Sequence, residues 1–350
     1  MGVITRVLLA SLAISGAANA RDVAQLGPLR ADAGEAVSGY LEVPAAGDDG
    51  ARIPVSLVRG SADGPVLALV AGTHGYEYPG ISALQRLRQS IDPRALRGTL
   101  ILVHIANPPS FYGRTIYVSP ADGKNLNRVF PGRPDGTLSE RIAHAITTQV
   151  IAQADFLVDL HAGDGNEALR PYVYMPVTGD ARLDAATRGM ALAFGVDHVV
   201  IDDARITRSG ATQFVDQTAL ARGVPAITTE TGQLGQNDER SIALAEHGIR
   251  NLMRHFGMLE GPSGPNPAVV WLKDYQVIRS PVSGVFRASV REGYAVAEGG
   301  LLGELYDPFG AKLADVRAPF AGIVNYVVGT PPAVEGQPLA MVSRIAAPPP

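Results

Sequence analysis

Four runs, residues 66–71, 100–105, 156–160 and 224–229, are apolar almost without interruption, and no other feature restricts the fold of this chain so tightly. A strand with one wet face alternates apolar and polar residues, so a run that stays apolar on successive positions must be covered on both faces. Such strands belong in the middle of a sheet enclosed by helices. Helix-like stretches lie between them: residues 81–88 and 237–256 have amphipathic spacing, and residues 140–153 place Ile142, Ile146 and Val150 on one stripe. Thr137 and Glu140 stand at capping-box spacing before that stripe. From about residue 65 to residue 259 the alternation predicts an α/β domain with a mixed, mostly parallel central sheet flanked by helices.

A chain of 350 residues has room for a second unit. The Gly- and Pro-rich stretch 257–267 can neither continue a helix nor pair in a sheet, and it sets the expected boundary. Beyond it, residues 268–345 hold short β-prone runs separated by turn signals such as Ser283-Gly284, Glu292-Gly293 and Gly299-Gly300, which predicts a small C-terminal all-β domain. Its spacing is similar to that of lipoyl and biotinyl hairpin domains. Those carry a modified Lys at a tight turn, and only Lys312 is nearby here, so no carried prosthetic group is expected. Residues 346–350 are Ala and Pro alone and read as a frayed tail.

At the other end, Arg6 precedes an apolar run over residues 7–14, and Ala18-Asn19-Ala20 supplies small residues where a signal peptidase would cut. The run falls short of the ~20 residues needed to span a bilayer. Residues 1–20 are therefore expected to be a cleaved export signal, with a mature chain from near Arg21, an α/β domain over 21–259 and a periplasmic or secreted location. A formal charge of -4, evenly spread, argues against a nucleic-acid partner. No later segment is apolar enough to hold the mature protein in a membrane.

With no cysteine in the chain, His and carboxylates are the strong metal ligands available. His74 and Glu77 lie in Gly72-Thr73-His74-Gly75-Tyr76-Glu77, directly after one buried run and before a helix. Open α/β sheets bind ligands at the carboxyl edge of the strands, and the two glycines let the backbone aim both side chains at one point. His161 ends a second buried run, Phe156-Leu157-Val158-Asp159-Leu160-His161. Two imidazoles and one carboxylate from separate strand ends make an open three-ligand zinc site, one ion per chain, with a position left for water. Glu230 stands in the same way after the fourth run and can face that water. Asp159, two residues before His161, points to the same side of its strand and can orient a ligand. Arg128, in a polar loop between turn-forming residues, has the planar fork that grips a carboxylate, and Arg114 can stabilise charge on a reacting oxygen. The bland reading of each arginine is a solvated surface group. His104 reads as a core residue within its strand, His144, His247 and His255 as helix residues, and His198 as the residue before a strand.

Taken in order, Gly-Thr-His-Gly-x-Glu, Asn-Pro-Pro, Asp-Gly-x-Asn-Leu-Asn-Arg-x-Phe-Pro-Gly, Asp-Leu-His and Thr-Glu-x-Gly resemble the succinylglutamate desuccinylase/aspartoacylase family, relatives of the zinc carboxypeptidases. The resemblance runs from about residue 65 to the chain's end and is closer to the bacterial deacylase-like branch. It implies that His74, Glu77 and His161 hold zinc, that Glu230 is the catalytic carboxylate, that Asn127 and Arg128 bind a substrate carboxylate and that Arg114 polarises the scissile carbonyl. The expected activity is hydrolysis of an amide in a small, carboxylate-bearing substrate, as in an N-acyl amino acid deacylase. Two alternatives stand beside it: a metallocarboxypeptidase acting on peptides or cell-wall fragments, and an exported binding protein that does no chemistry.

Overall fold

The four apolar runs become four adjacent strands. In the computed structural model, which describes residues 24–203, 212–264 and 268–349, strands Arg97–Val103, Ala62–Ala71, Phe156–His161 and Ala226–Glu230 lie side by side in that order, all parallel. Tyr172–Pro176 follows antiparallel, and His198–Asp202 and Val270–Arg279 then continue in parallel. At the other edge Ala51–Arg59 and Glu35–Val43 form an antiparallel pair. The sheet is thus mixed, with its parallel part at the centre. The expected signal segment 1–20 and the expected mature start at Arg21 lie outside the described residues.

Continuous apolarity has a direct structural meaning here, because successive side chains of a strand point to opposite faces. Leu67, Leu69, Leu100, Leu102, Val158 and Leu160 enter one core, packed under helices Tyr78–Ser90, Ala181–Phe194 and Glu239–His255. Ala68, Val70, Ile101, Val103 and Leu157 enter the other, against Leu138–Gln149 and Val215–Leu220. Each fully buried Leu or Val contributes roughly 1.5–3 kcal/mol relative to exposure, so reversing either face to polar residues would remove a whole layer.

Local boundaries differ from the sequence pattern in two places. The strand expected to run to residue 105 ends at Val103, and His104 lies just beyond it, with Nε2 2.7 Å from Ser56 Oγ. The helix expected over 140–153 ends at Gln149 and is followed by a separate 3-10 turn, Ile151–Gln153. Its first turn is held by Glu140, which accepts from Thr137 N at 2.8 Å, and by Asp122 of the preceding loop, which accepts from Ser139 N at 2.9 Å. The second bond ties that loop to the helix.

The C-terminal region is all-β, and one of its layers prolongs the central sheet. Beyond Val270–Arg279 come Pro338–Ile345, Gly322–Val328 and Ala295–Val296, antiparallel throughout, and the short strand Glu167–Leu169 of the α/β part also pairs with Gly322–Val328. A separate four-stranded sheet, Lys312–Arg317, Leu301–Tyr306, Gly284–Ala288 and Pro332–Ala333, packs over it around Phe286, Leu305 and Val324. Part of the expected linker, residues 265–267, lies outside the described residues. Lys312 sits in surface ion pairs with Glu304 and Asp315. Among the described residues no helix is long and apolar enough to cross a membrane.

Gly80, in the first turn of Tyr78–Ser90, lies flat on the sheet: a Cβ there would stand 3.1 Å from Leu160 Cβ and 3.4 Å from Ala71 Cβ. A Gly80→Val chain should lose about 1–3 kcal/mol of stability through overpacking at this seam, read as a lower urea midpoint with an unchanged slope. An unaltered midpoint would mean that the seam has slack.

Candidate metal centre and catalytic cavity

Three neighbouring strand ends build the site. Ala71 pairs with Leu160, and His161 pairs in register with Glu230, so the carboxyl ends of Ala62–Ala71, Phe156–His161 and Ala226–Glu230 come out together. After Ala71 the backbone turns through Gly72, at φ 71°, where a Cβ would lie 3.0 Å from Ile105 Cα. This turn brings His74 back over the sheet edge. Glu77 occupies the position just before helix Tyr78–Ser90, whose Pro79 suits a first turn.

His74, Glu77 and His161 converge and are buried, at 8%, 3% and 4% exposure. One donor atom from each lies within 4.8 Å of the others. Glu77 bridges the two imidazoles, with Oε1 2.7 Å from His74 Nδ1 and Oε2 2.9 Å from His161 Nδ1. The second contact is close but poorly directed, and Glu77 Oε2 is left buried without a hydrogen bond. The far sides of both rings are held: Asn125 Oδ1 is 3.1 Å from His74 Nε2, and Asp159 Oδ2 is 2.8 Å from His161 Nε2. Both acceptors hold a proton on Nε2, so that only the Nδ1 protons facing Glu77 would be given up to a cation, the arrangement by which outer partners orient metal-binding histidines. Once their Nδ1 protons are lost, the two imidazoles and the Glu77 carboxylate, whose Oε2 is otherwise unsatisfied, suit a divalent cation such as zinc.

The electrostatics favour positive charge at this point. Burial opposes protonation of His161, but the Asp159 and Glu77 carboxylates prevail and hold its pKa well above the usual histidine value. At His74 burial is likewise outweighed by Glu77, and the pKa is raised. Glu77 is lowered despite its burial, because His161 and His74 stand against it.

Above the triad opens a cavity of about 210 Å³, below the roughly 300–1,000 Å³ typical of clefts for drug-sized ligands. Glu230, Asn127 and Arg128 line it. Arg128 donates from Nη1 to Asn127 O at 2.7 Å, and its guanidinium lies 4.5 Å over the Phe214 ring. Asn127 is nearly buried and engaged with the protein: Oδ1 accepts from Val215 N at 2.9 Å, and Nδ2 donates to Asp159 Oδ2 at 3.2 Å. It braces the support of His161 as much as it faces the cavity. Arg114 is not brought to the site; it is exposed, in a left-handed conformation at the end of helix Pro108–Gly113, and is not among the residues lining the cavity.

Several site residues had not been singled out from the sequence. Asn125 was within reach, since it belongs to the Asn-Leu-Asn-Arg motif, and it joins both halves of the site by accepting from Asn127 N at 2.8 Å as well as holding His74. Tyr117, Glu167 and Phe214 line the cavity from loops and short elements that carry no local signal. Tyr275, Tyr326 and Met341 come from the C-terminal strands. The β region therefore forms a wall of the cavity.

Fold and site together define a mixed-sheet α/β domain with a three-donor centre at the carboxyl edge of its strands. Residues 63–256 match the model of the succinylglutamate desuccinylase/aspartoacylase catalytic domain, and the chain belongs to that family. It is 31% identical over 288 residues to the N-alpha-acetyl-L-2,4-diaminobutyric acid deacetylase of Halomonas elongata, covering 80% of this chain and 82% of that protein. Among solved structures, the product-bound ectoine utilization protein EutE (DoeB) of Ruegeria pomeroyi is 29% identical with a TM-score of 0.82, covering 93% of this chain and all of that one. A succinylglutamate desuccinylase from Silicibacter is 28% identical with a TM-score of 0.81, covering 94% of this chain and all of that one.

A cation entering the triad must displace the protons that His74 and His161 hold so firmly. Its affinity should therefore fall as the pH is lowered and rise as these groups deprotonate. Asp159→Asn, which weakens the hold on His161 Nε2, should reduce affinity about 10–100-fold, measured by competition of Zn2+ or Co2+ with a chelating dye across pH. Equal affinity in the variant would remove Asp159 from the support of the centre.

Proposed function

We propose that this protein is a zinc-dependent amide hydrolase that removes the acyl group from small Nα-acyl amino acids. The observation that carries the reading is the register of Glu230 beside His161, which brings a carboxylate into the same small cavity as the His74, Glu77 and His161 donors. Zinc held by those three residues would polarise the amide carbonyl and acidify a water. Glu230 takes the proton of the water that attacks the carbonyl carbon and delivers it to the amide nitrogen as the C–N bond breaks, leaving a carboxylic acid and a free amine. Arg128 grips the substrate's carboxylate with its fork, and the fixed Asn125–Asn127 segment keeps that grip aligned with the reacting bond.

Cavity size favours this substrate class over peptides. Tyr275, Tyr326 and Met341 of the C-terminal strands close one side of a space of about 210 Å³, where a carboxypeptidase needs an open path for the chain leading to its last residue. The similarity to a deacetylase of an acylated amino acid points the same way. A binding protein without chemistry has no use for Glu230 beside a complete donor set.

Glu230→Gln should cut turnover of Nα-acetyl amino acids by roughly 10²–10⁴-fold, the usual weight of a general acid–base group, while zinc content measured by atomic absorption stays at one per chain. Hydrolysis of dipeptides but not of acetyl amino acids, or turnover indifferent to a chelator, would overturn the reading. The proposal extends to export, on the strength of the charge, apolar run and small residues within positions 6–20. N-terminal sequencing of the protein recovered from cells should begin near residue 21, and an intact Met1 would count against export.

A further inference from the structure

Resting on the reading of His74, Glu77 and His161 as metal donors, we propose that Asn107 is a positioning residue for that centre, its side-chain amide fixing the turn from which His74 is presented. The Asn-Pro-Pro motif takes no part in the chemistry described above, and Asn107, Pro108 and Pro109 stand outside the residues that line the cavity. Asn107 is nevertheless fully buried, as is Thr73, the residue before His74.

Beyond strand Ala62–Ala71 the chain is held by a short series of bonds from the segment that follows strand Arg97–Val103. Ala106 N donates to Ala71 O at 2.8 Å, and Asn107 N donates to Gly72 O at 3.0 Å. The next donor in this series would be the nitrogen of residue 108, which is a proline and carries no N–H. Asn107 supplies the missing bond from its side chain, Nδ2 donating to Thr73 O at 3.2 Å. A buried carbonyl left without a donor is costly, so removing the amide should let the turn shift toward another partner.

The same side chain works at both of its ends. Its Oδ1 accepts from Ser110 N at 3.4 Å and caps helix Pro108–Gly113. An aspartate would cap that helix equally well, but it has no proton for Thr73 O. On the other side of His74, Gly75 is pressed as closely: a Cβ there would collide with Ser110 O and Thr115 O. His74 is thus carried between two points that the segment 107–115 holds. Asn125 Oδ1, 3.1 Å from His74 Nε2, sets the rotation of the ring, and Tyr117 stands edge-on with centroids 6.3 Å apart. Asn107 sets the place of the main chain from which the ring projects. Metal–ligand distances are held to within roughly 0.2 Å in working sites, so a small shift of this turn is felt at the centre.

Co2+ binding followed by visible absorption, together with amide hydrogen exchange, separates positioning from capping. Asn107→Asp, which keeps the size and the cap but not the donor, should weaken Co2+ binding about tenfold, change the shape of the Co2+ band and speed exchange over residues 72–77. Asn107→Ser, which keeps a capping oxygen on a shorter side chain, should do the same, and it decides the matter if the aspartate variant does not fold. Asp238→Ala is the control: it removes the cap that accepts from Ser241 in helix Glu239–His255 and should leave affinity and band unchanged. Wild-type affinity and band in a folded Asn107 variant overturn the proposal. So does an equal loss in Asp238→Ala, which would make the effect one of general stability. A wild-type protein that binds neither Co2+ nor Zn2+ defeats the metal reading instead; faster exchange over residues 72–77 in the Asn107 variants then upholds the hold of Asn107 on the turn, and unchanged exchange overturns it.

Discussion

The Glu77 carboxylate, buried between two imidazoles, is the contact on which the rest of the site depends. Taking one carboxylate out of water costs several kcal/mol, and close opposite charge is what offsets that cost here. His74 and His161 supply the opposing groups, but from loops and strands separated by more than eighty residues. The contact therefore exists only if Ala62–Ala71 and Phe156–His161 are neighbours in parallel with the observed register. The two-faced apolar packing of these strands fixes that register, because a slip of one residue would exchange the two cores. Core packing and the geometry of the donor triad are thus one constraint, imposed from below the sheet and read out at its edge.

Around that contact the protein has placed a second ring of polar groups rather than a second set of ligands. Asn125 braces His74, Asp159 braces His161, and Asn127 ties Asp159 to the backbone of Val215 at the start of helix Val215–Leu220. The loop that carries Asn125 and Asn127 is anchored by Asp122 to the first turn of Leu138–Gln149. The segment that carries Arg128 is therefore tied to the supports of both imidazoles. The C-terminal strands add the remaining wall, and because Val270–Arg279 pairs directly with His198–Asp202, that wall is set by the same sheet. Its tyrosines line the cavity without contributing to the donor set.

Much of the architecture was legible because it follows from local periodicity. Continuous apolar runs specify strands buried on both faces, amphipathic stretches specify the covering helices, and Gly-punctuated short runs specify the terminal β region. The donors at residues 74, 77 and 161 were legible for a related reason: each follows the end of such a run, and α/β sheets gather their ligands there. Arg114 shows the limit of that logic. Its motif carried it by resemblance to the reacting bond, while the left-handed turn that ends helix Pro108–Gly113 leaves it exposed and away from the cavity. Asn127 shows another limit, since only its neighbours Asp159 and Val215 reveal that its amide serves the protein as well as the cavity.

By itself the sequence determined which segments are buried on two faces, where the polar strand ends fall and which side chains can bind a cation, because these are properties of adjacent residues. Tertiary structure alone decided that Asn125 would support His74, that Glu167 and five tyrosines would line one small space, and that strands from the far end of the chain would close it. Those outcomes depend on strand order and pairing between distant segments. Such pairing is set by the free energy of the whole packed sheet, not by any local pattern.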